Sequence, residues 1–484
     1  MSKAESYQMY IDGKWVESES REYRESVNPA TGEVIALTPD GTRGDVQKAI
    51  QAAKKASEWY RYTSVFERSE LLLKVMHAVQ EAQEELAETL SREQGKPYYT
   101  EALGEASAAA SQFEECAEQC KWLLNGEALP TRDKNKVVYT KLTPKGVLGI
   151  ITPWNYPVNI PSEYLAAALA TGNTVVWNPA SSTTLCAIKL MECLDKAGVP
   201  AGVINLVTGR GSVVGDEIAM SNDINGIGFT GSTEVGKTIA SKATAKSMLL
   251  ELGGNGPSII FEDAKLDLAI PPIASACFDN AGQICCATER ILVQRSIYKE
   301  VCDRMVAAAE AYVLGDPMVK GVTMGSMNNQ STFQKNIEHA EDGRRRGVKF
   351  LTGGKPAEGF ERGFYFQPTV VCDVPLDSLY NLDETFGPCA PIFPFDTEEE
   401  ALHLANCDQW GLVKSVFTQD ISRAHTFAEK LESGVVVVND GNCYLEYHLP
   451  FGGSGSKWSG VGRLGGKYAL QCMCDIKTIC IDIR

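Results

Sequence analysis

Three short segments carry side chains able to do chemistry on a carbonyl. In Asn280-Ala281-Gly282-Gln283-Ile284-Cys285-Cys286, a thiol follows a glycine turn. At a helix start such a thiol is stabilised as thiolate, the nucleophilic form. Packed into a core, the same two cysteines are inert apolar residues. In Leu249-Leu250-Glu251-Leu252-Gly253-Gly254, a carboxylate ends an apolar run beside two glycines. Burial there raises its pKa and suits a general base, whereas exposure leaves an ordinary strand-end Glu. In Phe229-Thr230-Gly231-Ser232-Thr233-Glu234-Val235-Gly236, a strand runs into a Gly-rich helix start. Free N–H groups and the helix dipole make such a start a phosphate site, although a structural turn explains this segment equally well by itself. It is not a G-x-G-x-x-G fingerprint. Gly209-Arg210-Gly211…Gly215 is also spaced wrongly for one, and reads as a turn.

The elements that must position these groups follow from patterning. Tyr7 to Ile35 reads as strands broken at Asp12-Gly13 and Asn28-Pro29-Ala30-Thr31-Gly32. Residues 43–120 read as helical, rich in Ala, Glu, Gln and Leu with apolar positions at helical spacing. Lys136–Tyr139 and Lys141 onward read as strand. From residue 146 short apolar runs alternate with helices: strands at 146–151, 174–177, 203–207 and 225–230, with helices at 161–170, at 185–197 and from Ser232. That order implies a parallel, doubly wound α/β sheet. A second alternating region spans 257 to about 440. Thr478 to Ile483 forms a β-rich tail suited to pairing with a sheet edge, within the subunit or in a neighbour.

Composition excludes several functions. At 484 residues the chain is too long for one ordinary core, since domains average roughly 150 residues. A net charge of −16 disfavours nucleic acid and anionic membrane surfaces, which need clustered Lys and Arg. No apolar run is long enough for a membrane span, and the N-terminus lacks a signal-peptide core, so the expected location is the cytoplasm. Fifteen cysteines, an odd number, fit reduced thiols better than a disulfide framework. Cys116 and Cys120 read as a helical i,i+4 pair. The five histidines are scattered, so no metal site is expected.

Taken together, the motifs resemble those of the aldehyde dehydrogenase superfamily, in the family's order and over nearly the whole chain. They are Tyr10-Ile11-Asp12-Gly13-Lys14-Trp15, Asn28 to Gly32, Pro153-Trp154-Asn155-Tyr156-Pro157, Phe229 to Gly236, Glu251 to Gly254, Gly282 to Cys285, Glu384-Thr385-Phe386-Gly387-Pro388 and Pro450-Phe451-Gly452-Gly453. The resemblance implies a Rossmann-type dinucleotide-binding domain (residues 1–122 and 144–252), an α/β catalytic domain (253–463) and a small β oligomerisation element (123–143 and 464–484). It implies oxidation of an aldehyde to a carboxylic acid, with NAD as cofactor and NADP possible in principle. Cys285 would be the nucleophile. The Asn155 amide and the Cys285 backbone N–H would form the oxyanion hole. Glu251 would be the base that hydrolyses the thioester, and its presence argues against a CoA-acylating relative. Cofactor contacts would come from Ile151, Thr152, Trp154, Asn178, Ser181, Gly231, Ser232, Gly236, Leu252, Glu384 and Phe386. The substrate pocket would use Tyr156, Asn159, Ile160, Glu163, Asp279, Ile284, Cys286 and the loop 442–448.

Departures from the family pattern are informative. Many relatives carry Lys and Glu where this chain has Asn178 and Ser181. These changes oppose each other in charge, so weak discrimination between NAD and NADP is expected, with NAD slightly favoured. A Lys and a Glu that relay protons in some relatives are here Tyr164 and Leu464, so any relay is expected to use water or backbone groups. The segment Gly453 to Gly460 is longer than the family's usual loop near the substrate mouth. Arg463 and Asp475 have the spacing of a tail-anchoring ion pair. The pocket set contains no Arg, which counts against a carboxylate-bearing aldehyde. Tyr with Glu or Asp would suit a cationic or hydroxylated one. A homodimer or homotetramer is implied. An inactive binding protein on the same fold is the rival class, and the joint presence of Asn155, Glu251 and Cys285 argues against it.

Overall fold

The computed structural model describes residues 4–484. Its first large sheet has eight strands. They run Gly460–Val461, Ser247–Glu251, Gly226–Thr230, Val147–Ile151, Thr174–Asn178, Ile204–Leu206, Met9–Ile11 and Lys14–Val16. The five strands from Ser247–Glu251 to Ile204–Leu206 are parallel. From Val147–Ile151 the chain winds outward through Thr174 and Ile204, then returns to the opposite side at Gly226. The strand order therefore reverses between Val147–Ile151 and Gly226–Thr230, and a crevice opens at the carboxyl ends of those two strands. The apolar runs are continuous rather than alternating because helices cover both faces. Trp177, Val175, Val176 and Ile204 are fully buried between them.

Local sequence explains the helices that flank this sheet. Thr42 caps Arg43–Tyr60 in a capping box with Asp45, and Ser64 caps Val65–Glu81 in one with Glu67. Asn159–Thr171 is a buried, Ala-rich helix that ends at left-handed Gly172. It packs against Leu103–Leu123, whose own alanines let the two helices approach.

The second sheet has seven strands, ordered Lys349–Thr352, Thr369–Cys372, Cys389–Phe395, Arg290–Gln294, Pro257–Ile260, Val413–Phe417 and Val435–Val438. All pair in parallel except the edge strand Lys349–Thr352. A small sheet joins Cys474–Asp482 to Lys136–Pro144 and then to Ala128–Leu129. The β-rich tail thus finds its partner edge within the same chain.

Three expectations need correction. Residues 211–215, read as a turn, form a wide helical turn that runs into Asp216–Met220. Asp475 pairs with Lys145 at 2.6 Å, while Arg463 donates to the carbonyls of Gly453 and Gly462. Spacing could not show that Lys145 lies closer, because the antiparallel register sets Asp475 opposite Thr143. Gly460–Val461 also pairs with Ser247–Glu251, so that stretch belongs to the first sheet. All fifteen cysteines are free thiols, most of them buried, and among the described residues no helix is long and apolar enough to cross a membrane.

Candidate active site

Two cavities meet at the junction of the large sheets. One, of about 220 Å³, opens at the strand-order reversal and is lined by Trp154, Asn155, Gly231, Ser232, Gly253, Glu384 and Phe386 among others. The other, of about 300 Å³, runs between the helices Leu103–Leu123 and Asn159–Thr171 and the loop around Cys443–Tyr447. Thr230, Glu251 and Cys285 line both. Sequence-distant residues therefore converge at the one place where the cleft and the tunnel touch.

The nucleophile segment is held by an unusual backbone. After the helix Leu266–Phe278, Asn280 (φ 51°), Ala281 (φ 53°) and Gly282 (φ 72°) are all left-handed. Two consecutive non-glycine residues there store strain, a common feature of functional sites. A Cβ on Gly282 would collide with the Gly387 carbonyl, so the glycine permits this packing. Cys285 then sits in a turn, not at a helix start as expected. The expected helix-terminus stabilisation is absent: hydrogen bonding with Cys286, then burial, holds the Cys285 thiol well above the ordinary range. Glu251 is buried at the end of its strand, and its Oε1 has no hydrogen-bond partner within the protein. Burial first, then the adjacent Cys285, pushes its carboxyl well above the usual range. The exposed strand-end alternative is thereby removed.

Asn155 Nδ2 donates to the Gln283 carbonyl at 3.0 Å, which sets the amide beside the Cys285 loop. Its backbone carbonyl accepts from Lys96 Nζ at 3.0 Å and from Asn280 Nδ2 at 3.1 Å. The glycines of Glu251-Leu252-Gly253-Gly254 now have a steric reason. A Cβ on Gly254 would strike the Cys285 carbonyl, and one on Gly253 would crowd the Glu384 carboxylate.

In the cleft, Glu384 accepts from the Gly254 N–H at 2.8 Å, and burial pushes its carboxyl up to about 8. Phe386 (φ 52°) is fixed by its N–H donating to Glu289 Oε1 at 2.9 Å, and it meets Trp154 edge-on with centroids 5.6 Å apart. Ser232 caps the helix Thr233–Lys242, whose start faces the cleft. A Gly-edged helix terminus, an aromatic pair and a glycine-flanked carboxylate suit a dinucleotide. Other expected contacts stand differently. Gly236 lets its helix close on the Leu252 side chain, and both are buried there outside the cleft lining. The Asn178 amide is spent on the carbonyls of Val207 and Gly209, Ser181 Oγ donates to Gly209 O, and Thr152 Oγ1 accepts from Trp177. Ile151 closes one of the two strands that border the crevice, Thr152 follows it, and Asn178 closes the neighbouring strand Thr174–Asn178. Sequence reasoning missed Ser331, Thr332 and Lys335, which reach the cleft from the helix Gln330–Arg345. No local pattern marks them.

The tunnel is lined by Tyr156, Asn159, Ile160, Glu163, Ile284 and Cys286, with Cys443, Leu445 and Tyr447 from the loop. Asp279 is a correction. It turns to Tyr312 (2.7 Å) and Ser275, lining a separate hollow with Thr100 and Glu101. The left-handed bend after it swings Cys285 one way and Asp279 the other. Glu105 was missed: it lines the tunnel, pairs with fully buried Lys96 at 2.5 Å and accepts from the backbone of Val158 and Asn159. Leu464 lines the tunnel, while the Tyr164 hydroxyl meets Thr230 Oγ1 at 2.9 Å, and Thr230 is in register with Glu251. A protic side-chain pair therefore stands where only water or backbone was expected. The long loop Gly453–Gly460 is also not at the tunnel mouth. Lys457 Nζ donates to Asn406 and Asp408 carbonyls, and Ser459 Oγ to Gly253 O at 2.7 Å.

Residues 15–479 match the model of the aldehyde dehydrogenase family. The chain is 38% identical to glutarate-semialdehyde dehydrogenase of Pseudomonas putida, over 98% of each protein. It is 37% identical to the NADP-dependent succinate-semialdehyde dehydrogenase of Escherichia coli, again over 98% of each. Among solved structures, an NADP-dependent enzyme of E. coli superposes with a TM-score of 0.96 at 36% identity, covering 99% of this chain and 98% of that one. The NAD+ complex of an aldehyde dehydrogenase from Bacillus cereus gives 0.95 at 35%, covering 99% and 97%.

Proposed function

The chain belongs to the aldehyde dehydrogenase family and oxidises aldehydes with NAD(P), and from that premise we propose that Cys285, Glu251 and Asn155 are its reacting groups. The observation that carries this reading is the position of Cys285 and Glu251 at the single junction of cleft and tunnel. The aldehyde enters by the tunnel, and the Cys285 sulfur, passing its proton by way of the adjacent Glu251 carboxyl to solvent, bonds to the carbonyl carbon as the C=O π pair moves onto oxygen. The oxygen that gains charge is met by the Asn155 amide and the Cys285 N–H, and loss of one such donor typically costs ~10²–10³ in rate. A dinucleotide held in the cleft would accept the hydride that leaves that carbon as the C=O bond re-forms, and the product on Cys285 would be a thioester. Glu251 takes a proton from the water that hydrolyses it, releasing the acid and the thiol. Its unpartnered Oε1 is free to do so.

Glu384 and Phe386 position the nicotinamide half of the cofactor, Gly231 and Ser232 the phosphates, with Trp154 against Phe386. Ile151, Thr152, Asn178, Ser181, Gly236 and Leu252 shape the adenosine side by holding backbone rather than by direct contact. Tyr156, Asn159, Glu163, Ile284 and Cys286 form the wall around the substrate. The sheet of Cys474–Asp482 leaves Ile476, Ile481 and Ile483 exposed. Those residues suit the covered edge of a homodimer or homotetramer. We assign the cofactor part to the eight-stranded sheet, the catalytic part to the seven-stranded sheet and the oligomerisation part to the sheet of Cys474–Asp482.

The test is NADH formation with short aldehydes. Cys285→Ala is expected to bind cofactor without turnover. Glu251→Gln is expected to give one burst of NADH and then stall at the thioester. Wild-type steady rates in either variant would move that role to another residue.

A further inference from the structure

The wall of the tunnel is acidic and aromatic, and no cationic side chain lines it. Its lining includes Glu105, Glu163 and Glu251 but no Arg, Lys or His. Two of the three carboxylates are accounted for. Glu251 belongs to the reacting centre. Glu105 is neutralised by Lys96 and by two backbone N–H groups. Glu163 is different. It stands one helical turn beyond Asn159 on the helix Asn159–Thr171, and both face the tunnel. Burial alone pushes its carboxyl up to about 8, with no neighbouring cation and no hydrogen-bond donor drawing it down. The rings of Tyr156, Tyr447 and Phe451 share this wall. Tyr156 already carries one cation, since Lys96 Nζ lies 3.8 Å from its centroid. Such a wall opposes a carboxylate tail, and of its carboxylates outside the reacting centre only Glu163 has no cation of its own.

Building on the proposed reading of the tunnel as the aldehyde's entry, we infer that Glu163 is a specificity-determining residue and that the enzyme selects aldehydes with an amino or ammonium group at the far end of a short chain. The reactive carbonyl sits at Cys285, and the cation lies between the Glu163 carboxylate and the Tyr447 ring. A charged hydrogen bond and a cation–π contact together are worth at least about tenfold in kcat/KM. The entering charge also draws the Glu163 proton off, so discrimination strengthens as pH rises from 6 to 8.

The experiment compares three aldehydes of similar length with the full-length enzyme and NAD: 3-aminopropanal, butanal and succinic semialdehyde. The expected order of kcat/KM is amino, then neutral, then carboxylate. E163Q is expected to bring the ratio of amino to neutral close to one. E163K is expected to lift succinic semialdehyde above 3-aminopropanal. On the unaltered enzyme, n-butylamine is expected to compete with butanal while butyrate does not. A native amino-to-neutral ratio at or below one, or a ratio unmoved by E163Q, overturns the inference while butanal turnover leaves the site reading intact. Absence of NADH from all three aldehydes overturns the site reading itself.

Discussion

The cleft and the tunnel share three residues yet are built in opposite ways. One side of the cleft is made of strand ends, and the helix Gln330–Arg345 adds Ser331, Thr332 and Lys335. Residues 153–155, 230–232 and 251–253 each follow or close a parallel strand, and glycines at 231, 253 and 254 let backbone and carboxylate approach. The tunnel is made of helix faces and one loop, with Glu105, Asn159 and Glu163 projecting from two packed helices. Backbone geometry fixes the first, whereas side-chain identity fixes the second. The reaction can therefore stay constant while the substrate changes, because altering a tunnel residue leaves the strand ends untouched.

That contrast has one bridge. Lys96 neutralises Glu105 in the tunnel wall and donates to the Asn155 carbonyl in the cleft. Lys96→Met strands a buried carboxylate and should cost about 3–5 kcal/mol of stability while also lowering kcat. Thermal melting and steady-state kinetics together check this, and loss of stability alone would separate the two regions again. Next in size is Gly254→Ala, which should press on the Cys285 carbonyl and lower kcat by roughly 10² through misplacement of about 1 Å. An equal loss for every aldehyde is expected, because the defect lies in the shared junction. Loss confined to one substrate would mean that Gly254 acts through the tunnel rather than through the junction.

A smaller effect concerns the cofactor. With neutral Asn178 and Ser181 turned to backbone carbonyls, kcat/KM for NAD and NADP should differ by less than ~100-fold, nearly 3 kcal/mol. The smallest is a pH effect on stability. The Glu163 carboxyl is raised in the folded protein to about 8 from 4.5, so its contribution is full at low pH and fades as pH climbs through that range. Glu163→Gln should therefore raise Tm more at pH 8.5 than at pH 5. A shift of equal size at both values would mean that the carboxyl titrates normally. Activity is expected to climb above neutral pH, since both Glu251 and Cys285 must shed protons held by burial and close contact.

Much of the cleft was legible because motif residues cluster within a few positions of a strand end. Asn155, Glu251 and Cys285 could be named from short segments. Lys335 could not, because nothing about the helix Gln330–Arg345 shows which face meets the cleft. The tunnel was legible where the helix repeat carried Asn159, Ile160 and Glu163 together. It failed at Asp279, where left-handed Asn280 and Ala281 reverse the chain, and at Glu105, whose partner Lys96 needs both to be brought under Tyr156. Tyr164 was read by identity as a lost relay residue, and its contact with Thr230 needed the packing of helix on sheet.

By itself the sequence determined the order of strands and helices, the parallel doubly wound architecture and the residue types available for thiol chemistry. Those properties follow from local periodicity and composition, which act over a few residues. Tertiary structure decided which carboxylates lost their water, which found a cation and which were left facing the tunnel. Burial and pairing depend on contacts between segments up to hundreds of residues apart, and these set the protonation of Glu251, Glu163 and Cys285.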